Sequence, residues 1–158
     1  MGDVRVRRAV AADLPTINAL GEELQGPHAD RYPEIFVRTG LLPYWEKTLA
    51  AEDHAIFVAE RDTVVIGLAL AQLMDETSPV AHPMKFCRLN VIVVSEKARG
   101  AGAGSMLIRA VEEFARAAGV RDIRLSVAAF NDPAIGLYER MGYEIRFHIM
   151  GKPVGKPS

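Results

Sequence analysis

The sequence predicts an α/β fold, with strand-like runs alternating with amphipathic helices. Two observations carry that prediction. From Val91 to Val94 the chain is continuously apolar and mostly β-branched, as a strand buried on both faces would be. Met106, Leu107, Ala110, Val111, Phe114 and Ala118 then recur at three- and four-residue steps, forming one apolar stripe of a helix. Between the two lies Arg99-Gly100-Ala101-Gly102-Ala103-Gly104, a glycine-rich loop that opens directly into the helix.

The remaining elements follow in order. Val4 to Arg8 alternates apolar and basic residues, the pattern of a half-buried strand. Asp13 offers an N-cap with Pro15 in the first turn, and Leu14, Ile17, Leu20 and Leu24 give the helix a core face. Gly26-Pro27 is expected to end it. Residues 26 to 53 read as short helices and loops, with Pro43 to Ala51 the best helical piece. Aromatic residues, His28 and the carboxylates Glu22, Glu23, Asp30 and Glu34 gather around this stretch. They suit an acceptor pocket and a solvated surface over a small aromatic cluster equally well.

Ala55 to Glu60 and Val64 to Met74 form a hairpin about Arg61-Asp62-Thr63, the second strand carrying Gly67. A loop with Pro79 and Pro83 leads to the strand Met84 to Val94. Arg121 to Ala128 is a further strand. Asn131 caps a helix running to about Met141, with Gly142 as its C-terminal glycine and Tyr143 to Met150 as a closing strand.

At 158 residues the chain predicts a single domain over 1–150 and a frayed tail over 151–158. A net charge of −1 argues against binding nucleic acid by bulk phosphate neutralisation. The single cysteine, Cys87, excludes an internal disulfide and sits in a strand, where a buried structural thiol is the expectation. Without a signal peptide or a long apolar run, the chain is expected to be cytoplasmic, with no membrane partner. His54, His82 and His148 are scattered, and no metal-ligand spacing occurs, so no metal is expected.

The glycine loop has an electrostatic use. The first N–H groups of a helix lack intrahelical partners and lie at the positive end of its dipole. Glycines let that backbone approach an anion, most naturally phosphate, and Arg99 adds a fixed charge at the mouth. No lysine follows Gly104, which excludes a P-loop, and the dinucleotide spacing Gly-x-Gly-x-x-Gly is absent. A lone glycine loop is more often a flexible turn. Here, however, Arg99, Gly102 and Gly104 fit Arg-x-x-Gly-x-Gly after a hydrophobic strand, and a second block downstream is as specific. Asn131, Ala134, Tyr138, Gly142 and Tyr143 fit Asn-x-x-Ala-x-x-x-Tyr-x-x-x-Gly-Phe/Tyr. Together the two blocks, and the element order over nearly the full length, resemble the GNAT superfamily of N-acetyltransferases.

That resemblance implies a mixed, mostly antiparallel central sheet flanked by helices and splayed between the fourth and fifth strands. It implies acetyl-CoA as co-substrate, with the diphosphate on Arg99, Gly100, Ala101, Gly102, Ala103, Gly104 and Ser105. The backbone of Ile92, Val93 and Val94 would hold the pantetheine arm and polarise the thioester, with Asn131 and Tyr138 as further cofactor contacts. Tyr138 would also protonate the departing thiolate, although a core tyrosine on a helix face looks the same. The reaction implied is direct attack of a primary amine, on a small molecule or peptide, on the thioester.

One departure stands out. Many members carry a glutamate on the strand before the loop, whereas this chain has Arg88-Leu89-Asn90-Val91. A relayed water, or Glu22, Glu23 or His28, would then act as base. That gap keeps an alternative in view, a non-catalytic acyl-CoA-binding regulatory module of the same fold. Exposed edge strands in such sheets often pair, which leaves a homodimer open.

Overall fold

Five strands form one sheet in the order of the chain: β1 (Arg5–Arg8), β2 (His54–Arg61), β3 (Val64–Asp75), β4 (Lys85–Val94) and β5 (Ile123–Leu125). Strands β1 to β4 pair antiparallel and β5 joins β4 in parallel. A parallel neighbour needs a crossover, which α3 (Ala103–Ala117) supplies. The other helices are α1 (Leu14–Arg31), α2 (Leu42–Ala50) and α4 (Asp132–Arg140). This computed structural model describes residues 2–155; the end of the expected tail, residues 156–158, lies outside them. The chain divides into two units, Met1–Ala128 and Ala129–Ser158. Among the described residues no helix is long and apolar enough to cross a membrane.

In the first unit each sheet face has its own helices. Ile17 and Leu20 of α1 and Trp45 of α2 pack with Ile56, Val58, Leu68, Leu70 and Val93 on one face. On the other, Leu107, Ile108 and Val111 of α3 are fully buried across β2, β3 and β4. Gly67 makes that second contact close. A Cβ there would lie 2.9 Å from the Val93 carbonyl oxygen and 3.3 Å from Leu107 Cδ1. The β2–β3 hairpin turns through Asp62 and Thr63, both left-handed at φ 52° and 65°. Such a pair of left-handed residues matches the twist of the flanking strands.

Helix α1 departs from its predicted course at both ends. It runs through Gly26-Pro27 to Arg31, with Pro27 inside. Proline removes one backbone bond, but the turn continues beyond it. The Tyr32 N–H donates to the His28 carbonyl at 2.8 Å, and Ala29 is buried against the rest of the fold. At the other end Asp13 holds the N-cap position without capping α1 through its side chain. Its carboxylate instead accepts from Arg7 Nη1 and Nη2 at 2.8 and 3.0 Å and from the Val10 N–H at 2.8 Å.

These donors, the Arg7 guanidinium foremost, hold the Asp13 carboxyl below the usual carboxylate range. A depressed folded-state pKa contributes stability that is complete above about pH 4 and is lost as the pH falls through the folded value. Asp13→Asn should therefore lower the melting temperature at pH 7 and lose less further stability than wild type on going to about pH 3. Equal acid losses in the two proteins would place the acid sensitivity elsewhere.

Two predicted strands shrink or vanish. Opposite β3 the β4 register shifts between Leu70 and Ala71, which pair with Val91 and Leu89, so Asn90 is an inserted bulge residue. A bulge bends its strand and breaks the ladder locally. Pairing with β5 stops at Leu89↔Leu125, immediately before it, and β5 spans Ile123–Leu125 rather than Arg121 to Ala128. This is the expected splay between the fourth and fifth strands. In the second unit Tyr143 to Met150 forms no strand. Its alternating pattern joins no ladder among the described residues, and alternation without a ladder partner does not make a strand.

Candidate active site

The site grows out of the end of β4. The Ser95 N–H donates to the Ile66 carbonyl at 2.7 Å, which sets the parity of the β3–β4 ladder. Val91 and Val93, two and four residues back, direct their backbone groups at Leu70 and Leu68. Those of Ile92 and Val94 face the other way, toward the side that β5 has left. Of the three β4 residues predicted to meet a cofactor, Ile92 and Val94 thus present backbone to the splay. Val93 is turned to β3, with its side chain in the core.

Beyond β4 a short 3₁₀ turn, Glu96–Ala98, leads to Arg99 and the glycines. Gly100 and Gly102 have φ of +90° and +81°, a conformation that glycine adopts without strain, and a Cβ at either would meet nothing within 4 Å. Gly102 is the N-cap of α3, and no side chain caps the helix there. The Ser105 hydroxyl donates instead to the Gly102 carbonyl at 3.0 Å. The leading amides, from Ala103, Gly104 and Ser105, sit at the positive end of a fifteen-residue helix with no side-chain acceptor. Arg99 is exposed beside them, its Nε donating to the Val94 carbonyl at 3.4 Å. The β5-facing backbone of Ile92 and Val94 and the open amides of Ala103, Gly104 and Ser105 therefore flank the Arg99 cation, an arrangement suited to an extended ligand that ends in phosphates.

On the α1–α2 face a cavity of about 200 Å³ opens near the bulge, walled by Gly21, Leu24, Gln25, Leu41, Tyr44, Trp45 and Val91. Gly21 makes room for the indole, since a Cβ there would lie 3.0 Å from Trp45 Cζ2 and Nε1. The aromatic cluster expected nearby is also present, with His28 edge-on to Phe36 at 5.5 Å between ring centres. The cavity walls carry no carboxylate. Asn90 is exposed on the same face. Its Nδ2 donates to Gln72 Oε1 at 3.0 Å, and Gln72 Nε2 donates to Asp53 Oδ2 at 3.4 Å.

The candidate bases prove to be engaged. Glu23 Oε1 accepts the Glu96 N–H at 2.9 Å, and Glu22 accepts from Asn18 Nδ2 at 3.5 Å. His28 Nδ1 lies 2.9 Å from the Leu24 carbonyl. Cys87 is fully buried, and burial pushes its thiol pKa up, which disfavours the thiolate a nucleophile requires. Among the described residues no cluster of His, Cys, Asp or Glu could hold a metal.

Asn131 and Tyr138 belong to the second unit. The Asn131 side chain accepts the Ala134 N–H at 3.3 Å and so caps α4, and Gly142 at φ +93° ends the helix. Tyr138 is buried, its ring centre 5.9 Å from that of Tyr143. Burial alone pushes its phenol up to about 12, so the hydroxyl is protonated and able to donate at neutral pH.

The profile of the acetyltransferase (GNAT) family matches residues 17–143. The chain belongs to that family. Among its relatives is the L-methionine sulfoximine/L-methionine sulfone acetyltransferase of Pseudomonas aeruginosa, 31% identical over 89% of this chain and 80% of that one. Human N-acetyltransferase 8B is 27% identical over 72% of this chain, which spans only 49% of the human protein. A mutant of the BH1408 protein from Bacillus halodurans shares the fold at a TM-score of 0.88 and 21% identity, covering 95% of this chain and 99% of its own. The aminoglycoside N-acetyltransferase AAC(6')-Iy in complex with CoA superposes at a TM-score of 0.78 and 21% identity, over 98% and 96% of the two chains. This GNAT chain is an N-acetyltransferase with acetyl-CoA as its co-substrate.

Bulge, cavity and the engagement of Glu23 were missed in the sequence. Gly21 inside an otherwise good helix was the one available signal of a close approach there.

Proposed function

We propose that this acetyltransferase moves the acetyl group of acetyl-CoA directly to the primary amine of a small, amino-acid-sized acceptor. The carrying observation is the uncapped start of α3 behind two left-handed glycines, together with the backbone of Ile92 and Val94 that β5 leaves unpaired. The diphosphate would lie across Arg99 to Ser105, and the pantetheine arm along Ile92 to Val94, with Val93 contributing shape rather than hydrogen bonds. The N–H groups on the open side of β4 would polarise the thioester carbonyl as charge develops on its oxygen. Asn131 would add a cofactor contact through its amide NH₂, its oxygen being the cap. Tyr138 would donate its proton toward the leaving sulfur.

The acceptor would enter the cavity beside Val91. About 200 Å³ is below the roughly 300–1,000 Å³ of drug-sized pockets, and walls without a carboxylate do not favour a polycation. A compact amine with an apolar or neutral polar side chain fits better, as do the acceptors named for the Pseudomonas relative. With no carboxylate among the cavity walls, the ammonium proton would leave through water at the open bulge rather than to a dedicated carboxylate.

Release of free thiol from acetyl-CoA, followed across L-methionine sulfone, simple primary amines and the aminoglycoside sisomicin, tests this reading. Turnover is expected with the small amines and not with sisomicin. Preference for sisomicin would overturn the acceptor class, and no amine-dependent thiol release at all would overturn the transfer itself.

A further inference from the structure

We propose that Glu23 is a positioning residue for coenzyme A, which pins the turn before the phosphate loop from the acceptor side of the molecule. It stands on α1, 73 residues from the amide it holds, and its Oε1 accepts the Glu96 N–H at 2.9 Å. Glu96 opens the 3₁₀ turn Glu96–Ala98, whose N-cap, Ser95, contributes no side-chain cap. The first amide of a helical turn lacks a partner within it, and Glu23 supplies one.

The consequence is mechanical. On one side the chain leaving β4 is held by the Ser95 N–H to the Ile66 carbonyl at 2.7 Å, and on the other by Glu23. Ala98 is buried, and the next residue is Arg99. The start of the loop is thus fixed by two anchors on different elements before any ligand arrives. Ordering a loop costs conformational entropy, and a pre-ordered one does not charge that cost against binding. Gly21, Leu24 and Gln25, on the same stretch of α1, wall the cavity. One hydrogen bond therefore joins a wall of the acceptor cavity to the turn that carries the cofactor loop.

The charge of Glu23 and its hydrogen bond act on the ligand with opposite signs. An acidic side chain near a diphosphate seat repels the ligand, so loss of the charge alone should strengthen coenzyme A binding. Loss of the hydrogen bond should weaken it. Glu23→Gln removes the charge and keeps an oxygen that can accept the Glu96 N–H, whereas Glu23→Ala removes both.

The test is calorimetric titration of coenzyme A into wild type, Glu23→Ala, Glu23→Gln and Gly102→Val, with a melting curve for each and thiol-release kinetics on the best amine. Glu23→Ala should bind coenzyme A about three- to tenfold more weakly than Glu23→Gln, which matches it in charge, the scale of one net hydrogen bond. Glu23→Gln should bind at least as tightly as wild type and turn over normally. A general base would behave otherwise, with Glu23→Gln losing turnover while its affinity held. If Glu23→Ala merely melts earlier and its folded fraction binds as tightly as Glu23→Gln, the contact is structural only and the proposal falls. The proposal rests on Arg99 to Ser105 as the diphosphate seat, and Gly102→Val separates the two. Undiminished affinity in Gly102→Val refutes the seat, whereas lost affinity there beside equal affinities in Glu23→Ala and Glu23→Gln refutes the role of Glu23 alone.

Discussion

Tyr138→Phe is expected to slow turnover by about 10²- to 10⁴-fold, the usual worth of a positioned general acid. The substitution removes one hydroxyl and leaves the ring, so the contact with Tyr143 at 5.9 Å should persist and the melting temperature should barely move. Because the lost interaction belongs to the transition state, the Michaelis constant for acetyl-CoA should change little while kcat falls. The phenol is pushed up to about 12 by burial, and the sign of that shift matters. A raised pKa keeps the proton on the oxygen through the neutral range, so no loss of activity from ionisation of Tyr138 is expected below about pH 10. Steady-state kinetics and a melting curve on one preparation decide the matter. Wild-type turnover would make Tyr138 a packing residue of α4.

Gly102→Val is expected to abolish measurable coenzyme A binding in a protein that remains folded. Two effects add. Valine is strained at φ +81°, so the start of α3 should shift away from the geometry that aims its amides. Its branched side chain would also cover the backbone that phosphates must approach. Nothing in the protein lies within 4 Å of the new Cβ, so the sheet and its core have no reason to move. Gly119, at the other end of α3, provides the control. It has a similar φ of +74° and equally open surroundings, so Gly119→Val carries like strain away from the loop. Calorimetry should show binding lost in the first variant and kept in the second. Equal losses in both would attribute the effect to general destabilisation of α3.

What the sequence determined by itself were the features set by neighbours along the chain. The apolar run of β4, the stripe of α3, the glycines that need positive φ, and the Asn131 and Gly142 caps of α4 are local chemistry, and each lies where its residues put it. The order of elements as far as α4 followed from them, and so did the family. What only the tertiary structure decided were the features in which distant residues compete. Pro27 does not stop α1: the turn beyond it buries Ala29 and closes through the Tyr32 N–H to the His28 carbonyl. Asp13 serves Arg7 and Val10 rather than α1, because a guanidinium from β1 stands within reach. Arg121 to Ala128 reads as a full strand, yet β5 stops at Leu125, because a bulge at Asn90 bends its partner away. Alternation along Tyr143 to Met150 could not become a strand by itself, since a strand is a property of a pair. Glu23 gave no local sign of its task, because the amide it holds is 73 residues away and only the packing of α1 beside the end of β4 brings them together.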